Sequence, residues 1–143
     1  MRQMKQLLEA KANKDVAWIA PDAPVIDALR MMAEKHIGAV LVMDAGKLVG
    51  IFSERDYARK VVLLGRASAN TPVSDIMSRQ VLCGRLSDSV AHSMQLMTER
   101  RIRHLPIVEH KAVVGLVSIG DLVKAVIEDQ QQELRHLQDY IYG

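Results

Sequence analysis

Two short patterns in the chain have the residue types and spacing of a ligand site. They are Gly50-Ile51-Phe52-Ser53-Glu54-Arg55-Asp56 and Gly115-Leu116-Val117-Ser118-Ile119-Gly120-Asp121. An ionised aspartate only accepts hydrogen bonds, and its two oxygens can take one from each of two neighbouring hydroxyls. Such charge-assisted bonds contribute about 1.5–3 kcal/mol each. A serine three residues earlier, at a helix start, stands among unpaired backbone N–H groups that favour an anionic oxygen such as a phosphate. Gly50 and Gly115 leave room on a strand for another segment to approach closely. The same Ser-x-x-Asp spacing also caps a helix without any ligand, and one serine can serve both purposes.

The elements that must position these residues repeat as well. Residues 22–57 lie over residues 87–122 without a gap at a shift of 65. Val25 meets Val90, Met32 meets Met97, Glu34 meets Glu99 and Ile37 meets Ile102, and the Gly, Ser and Asp of the two patterns coincide. Each copy opens on a β-like segment, Val16 to Ala20 or Val81 to Gly84. Asp22 and Ser87 are the expected N-caps of the helices that follow, with apolar residues at helical spacing: Val25, Leu29, Met32 and Val90, Met94, Met97. Two strands come next, joined by Asp44-Ala45-Gly46-Lys47 in one copy and by the glycine-free Glu109-His110-Lys111-Ala112 in the other. Ser53 and Ser118 then start a second helix. The unit is β-α-β-β-α.

The expected organisation is an N-terminal helix at 1–15, repeat 1 at 16–64, a linker with a short helical piece (Val73 to Met77) at 65–78, repeat 2 at 79–127 and a helical extension at 128–143. The fold class is α+β, with two repeats about a pseudo-two-fold axis packed through their sheets and extra helices at both ends. Each repeat is near the lower size limit for independent folding, so neither is expected to carry a core of its own. Ile127, Leu134 and Ile141 recur every seven residues, with Leu137 between them, which suits packing against a second chain.

Composition narrows the function. The 19 Lys and Arg nearly balance the 17 Asp and Glu, and only 3% of residues are aromatic. Nucleic-acid polymers call for a basic face and stacking rings, so they are not expected as partners. Half of the chain, 49%, is apolar, enough for a core of aliphatic residues and methionines. No run approaches a membrane span and the first residues contain no apolar signal region, so the expected location is the cytoplasm. The single Cys83 excludes an intrachain disulfide and a multi-cysteine zinc site. It is expected to be small, apolar and buried, and Trp18 is expected to be a packing residue. His36, His92, His104, His110 and His136 lack metal-ligand spacing. No phosphate-binding glycine loop or nucleophile elbow is present, and no catalytic residues are expected.

The repeat and its two endings resemble the tandem CBS domain, named after cystathionine β-synthase. Arg103-His104-Leu105-Pro106 is typical of a strand start in that family, and the resemblance covers about Val16 to Ile127. It implies a non-catalytic regulatory module that binds AMP, ADP, ATP, S-adenosylmethionine or NAD(H) and signals by conformational change. It implies a homodimer, with an effector protein as a further partner. The cleft of Asp121 would also use Ser118, Arg103 with His104 beside it, Trp18, Ile19, Ala20, His36 and Ile37. The cleft of Asp56 would use Ser53, Gly38, Arg55, Cys83, Arg101 and Ile102. Adenine would lie in an aliphatic slot, and Arg103, able to pair with phosphate, would make the Asp121 cleft the tighter one. The alternative is a structural module with vestigial clefts that acts by dimerising or through a protein partner.

Overall fold

A computed structural model describes residues 2–11 and 16–142. The elements are α1 (Met4–Ala10), β1 (Trp18–Ile19), α2 (Val25–Lys35), β2 (Ala39–Asp44), β3 (Lys47–Ser53), α3 (Glu54–Asp56, continued by a π-helical turn over Tyr57–Val62), α4 (Val90–Arg100), β4 (His104–Glu109), β5 (Ala112–Ser118) and α5 (Ile119–Tyr142), with a 3-10 turn at Val73–Asp75. The N-terminal helix expected over 1–15 is found at Met4–Ala10; Met1, residues 12–15 and Gly143 lie outside the described residues.

The chain forms two compact units. One is Val16–Leu82; the other runs from Cys83 onward and includes the N-terminal segment that carries α1. In the first unit β1 pairs in parallel with β2, and β2 pairs antiparallel with β3. Val25, Ala28 and Met32 of α2 sit at helical spacing in a buried cluster with Ile19, Val40, Val42, Phe52, Val61 and Ile76. Contrary to expectation, this unit has a core of its own. Val73, Ile76 and Met77, which follow the π-helical turn and surface loop, complete that core.

The second unit repeats the plan. The β4–β5 pairing reproduces that of β2–β3 residue for residue, including the irregularity between Ile107 and Val108 that matches the one between Val42 and Met43. Both hairpins close with two left-handed residues, Ala45 (φ 50°) and Gly46 (φ 79°) in one, His110 (φ 50°) and Lys111 (φ 65°) in the other. Two-residue turns of that type match the strand twist, so the second hairpin forms without glycine.

The first strand of each copy is shorter than expected. Trp18–Ile19 replaces Val16 to Ala20, and Val81 to Gly84 reduces to one parallel bridge between Gly84 and Ile107. Gly84 stands where Ile19 stands in the first copy, and a glycine offers no side chain to hold a strand on the core. Alternation along the strand explains two further corrections. Ile19 faces inward, so Trp18 before it faces out and is 55% exposed. Cys83, the counterpart of Trp18, is exposed rather than buried.

Asp22 and Ser87 are not the N-caps; Pro24 and Ser89 are. Proline and serine two residues later supply extended backbone directly before Val25 and Val90. The first N–H groups of α2 are taken by the Thr71 carbonyl (from Val25) and the Ser68 carbonyl (from Ile26). In α4 the Val90 N–H donates to the Arg2 carbonyl, and the Ser89 hydroxyl accepts from the His92 N–H. Arg2 therefore does for the second unit what Thr71 does for the first. The correspondence extends: Met4 N–H donates to Asp88 O as Val73 N–H donates to Ala23 O, and Lys5 N–H to Leu86 O as Ser74 N–H to Pro21 O. Helix α1 is the counterpart of the 3-10 turn before Ser78, and it completes the unit formed by the second repeat.

Helix α5 runs without interruption through residues 127 and 128, and residues 130–142 are exposed throughout.

Candidate functional site

In each copy the strand that starts the hairpin and the helix that follows it converge on the Ser-x-x-Asp pattern. In the second unit His104 is the register partner of Ser118, and the Arg103 carbonyl accepts a 2.9 Å hydrogen bond from the Ile119 N–H, the first of α5. In the first unit Ala39 pairs with Ser53, and the Gly38 carbonyl accepts from the Glu54 N–H at 3.1 Å. The structure thus brings Arg103, His104, Ser118 and Asp121 together in one unit, and Gly38, Ser53, Arg55 and Asp56 in the other.

Both serine–aspartate pairs form reciprocal helix caps. The Ser53 hydroxyl accepts from the Asp56 N–H (3.2 Å) while Asp56 Oδ2 accepts from the Ser53 N–H (3.0 Å). The Asp121 N–H donates to Ser118 Oγ (3.1 Å), and the Ser118 N–H to Asp121 Oδ2 (2.9 Å). The capping role anticipated for Ser-x-x-Asp is therefore present in both copies.

The two carboxylates differ in what else they hold. Asp56 is buried, at 8% exposure, and both its oxygens are engaged: Oδ2 also accepts from the Ser53 hydroxyl, and Oδ1 accepts from the Ser78 hydroxyl at 3.2 Å and pairs with Lys60 Nζ at 3.3 Å. Asp121 keeps 29% of its side chain exposed, and among the described residues its bonds to the Ser118 N–H and to Lys11 Nζ (3.0 Å) both fall on Oδ2. Partial burial pushes the Asp121 carboxyl up, but the Ser118 N–H and the Lys11 ammonium outweigh it and hold the group below the usual carboxylate range. It is an ionised acceptor at neutral pH.

The remaining expected residues are placed as follows. Ile19 is buried, Ala20 is half-buried, and Trp18 is exposed, all in the first unit. His36 and Arg101 close α2 and α4 in the left-handed conformation (φ 54° and 55°), where Ile37 and Ile102 donate their N–H groups to the Met32 and Met97 carbonyls. The Cys83 thiol is pushed up by partial burial, away from the thiolate form. Among the described residues no group of three His, Cys, Asp or Glu could hold a metal ion, and no helix is long and apolar enough to cross a membrane.

Sequence reasoning missed Lys11, Lys60 and Ser78. Lys60 follows Asp56 by four residues, the spacing of a helical ion pair, and that signal was available. Ser78 and Lys11 lie on segments with their own weaker repeat, Met4-x-x-Leu7-Leu8 against Val73-x-x-Ile76-Met77 at a shift of 69.

The CBS domain family model matches residues 7–63 and again residues 73–128. The chain belongs to the CBS-domain family. It carries a tandem CBS pair, and known proteins of the family align along most of it. The CBS domain-containing protein CBSX3, mitochondrial, of Arabidopsis thaliana is 41% identical over 88% of this chain; the match spans 64% of CBSX3. A solved structure of a protein with CBS domains from Burkholderia ambifaria is 47% identical, with a TM-score of 0.87 over 90% of this chain and 96% of that one. The CBS domain pair of protein MJ0100, solved in complex with 5′-methylthioadenosine and S-adenosyl-L-methionine, shares the fold at 23% identity, with a TM-score of 0.79 over 90% of this chain and 98% of that one.

Proposed function

We propose that this tandem CBS pair is a non-catalytic regulatory module whose second copy binds an adenosine-containing ligand. AMP, ADP, ATP, S-adenosylmethionine and NAD(H) are the ligands to test. The observation that carries the reading is Asp121: an ionised carboxylate at the start of α5, whose bonds from the Ser118 N–H and Lys11 fall on Oδ2, beside Ser118 and the exposed Arg103. Ribose hydroxyls go to Asp121, and a phosphate goes to Ser118, the α5 N-terminus and Arg103. The MJ0100 pair, which holds two adenosine compounds, supports the ligand class through the shared fold. The fuller residue sets carried by the family resemblance, with Trp18, Ile19, Ala20, His36 and Ile37 serving Asp121, belong to this proposal. So do Gly38, Arg55, Cys83, Arg101 and Ile102 serving Asp56.

Signalling follows if the ligand binds two conformations of the module with different affinity and an effector protein reads the difference. A cytoplasmic location and a homodimer complete the reading. The exposed length of α5 supports the dimer, since Ile127, Leu134 and Ile141 form an apolar stripe 49–62% exposed. An isolated helix of that length is marginal in water. Light scattering that finds a monomer at micromolar concentration overturns the dimer.

A second reading, a structural or dimerisation module with vestigial clefts, is favoured by Asp56, whose carboxylate is saturated by Ser53, Ser78 and Lys60. Native mass spectrometry of the purified protein separates the two readings. Adenosine-class mass retained by the protein, and lost in the Asp121→Ala variant, supports the ligand-binding reading. A protein that keeps no such mass, alone or after incubation with the five ligands, supports the structural one.

A further inference from the structure

Lys11 occupies the carboxylate that the proposed ligand needs. Its ammonium donates to Asp121 Oδ2 at 3.0 Å and to the Leu116 carbonyl at 2.9 Å, so both bonds fall on the segment Leu116–Asp121 that forms the candidate site. The lysine comes from the far end of the chain, directly after α1, and is held there by packing. Met4 and Leu7 are buried, and Leu8 lies over Gly115. Lys11 and Asp121 line one open pocket of about 340 Å³ together with Arg2 and Lys124. In the first copy the equivalent segment reaches Asp56 with a neutral group, the Ser78 hydroxyl, and the ammonium comes from Lys60 on the aspartate's own helix, four residues on.

We propose that Lys11 is a displaceable counter-ion for Asp121, so that a ribose ligand must release the C-terminal end of α1 to bind. This inference rests on the ligand-binding reading of Asp121. A ribose diol that sets one hydroxyl on each carboxylate oxygen would bring a third bond to Oδ2, which already accepts from the ammonium and the Ser118 N–H and has two lone pairs. Partly exposed ion pairs of this kind are weak enough to exchange. Once released, the ammonium stays in the pocket as a cation on a flexible four-carbon stem and can follow a phosphate. The strap therefore opposes a neutral nucleoside most and a nucleotide less. It also links occupancy of the second CBS copy to the docking of α1.

The test is calorimetry of adenosine and ATP on wild type and Lys11→Met, with amide hydrogen exchange over residues 4–11 in both. The expected result is adenosine binding up to about fivefold tighter in the variant, the upper end set by the strength of a partly exposed pair. ATP should gain less or lose affinity, and adenosine should speed exchange at the end of α1 in the wild type. If wild type binds adenosine and the variant binds it equally or more weakly, the displaceable strap is wrong while the ligand reading stands. If exchange over residues 4–11 is unchanged by saturating adenosine, the release of α1 is wrong, whatever the variant's fold. If neither protein binds either compound, the strap as proposed is wrong, and the ligand reading is then decided by AMP, ADP, S-adenosylmethionine and NADH.

Discussion

The side chain of Leu8 lies 2.6 Å from the position a Cβ on Gly115 would occupy. Gly50 meets Met77 in the same way, with Met77 Sδ at 2.5 Å, and it meets the Ser78 carbonyl as well, at 3.0 Å. In both copies a glycine on the second hairpin strand lets a separate segment close over the sheet. The closing segments differ in stiffness: Ser78 is bonded to Ile51 in both directions, whereas the atoms nearest a Cβ on Gly115 belong to the Leu8 side chain. Gly50→Ala should cost about 1–3 kcal/mol through overpacking against backbone, and Gly115→Ala should cost less because Leu8 can change rotamer. Urea denaturation of the two variants checks this; a larger loss for Gly115→Ala contradicts it.

Asp56 and Asp121 should separate structure from function. Removing Asp56 takes their acceptor from the Ser53 N–H and the Ser78 hydroxyl, which meet at a buried carboxylate, while Lys60 is partly exposed and keeps the Ile76 carbonyl. Asp56→Ala is expected to lose about 2 kcal/mol of stability. Asp121→Ala, at a more exposed position, should lose about 1 kcal/mol. Chemical denaturation midpoints for the pair give the answer, and equal losses would contradict the asymmetry.

The lowered pKa of Asp121 fixes the sign of a pH effect. Burial acts against the shift, but the Ser118 N–H and Lys11 prevail, so the folded value lies below the unfolded one. The stability this contributes is present in full above the unfolded value of about 4 and is lost as pH falls through the folded value. Compared with wild type, Asp121→Asn should therefore lose less stability between about pH 5 and pH 2. Urea midpoints measured across that range test the sign, and parallel curves for the two proteins would contradict it.

The glycine-free turn offers a stabilising change. Lys111 holds φ at 65° where a side chain is penalised by roughly 1 kcal/mol. Lys111→Gly should raise stability by up to about 1 kcal/mol, offset in part by the greater freedom of glycine in the unfolded chain. Gly46→Ala, at φ 79° in the other hairpin, should have the opposite sign. Thermal unfolding of both variants decides it.

The repeat was legible because its signals are local: the apolar periods of α2 and α4, the hairpin strands and the two Ser-x-x-Asp starts. The family resemblance rests on those same residues and holds. The N-caps were misplaced because extended backbone at Pro24 and Ser89 is set by bonds to distant segments, through Thr71 and Arg2. Cys83 was misjudged as buried because residue type says apolar, while alternation about Gly84 turns it out, as alternation about Ile19 turns Trp18 out. Lys11 escaped the site for the same reason that Arg2 escaped the cap. Its partner is 110 positions away, and nothing in its neighbours points there.

The central claim is that Asp121 receives the ribose of an adenosine-containing ligand. Isothermal titration of AMP, ADP, ATP, S-adenosylmethionine and NADH into wild type and Asp121→Asn tests it most directly. The account predicts that at least one of them binds wild type and loses about ten- to a hundredfold in affinity in the variant, the loss expected when charge-assisted bonds to a carboxylate are removed. Equal affinity in the two proteins, or no binding of any of the five to wild type, would contradict it.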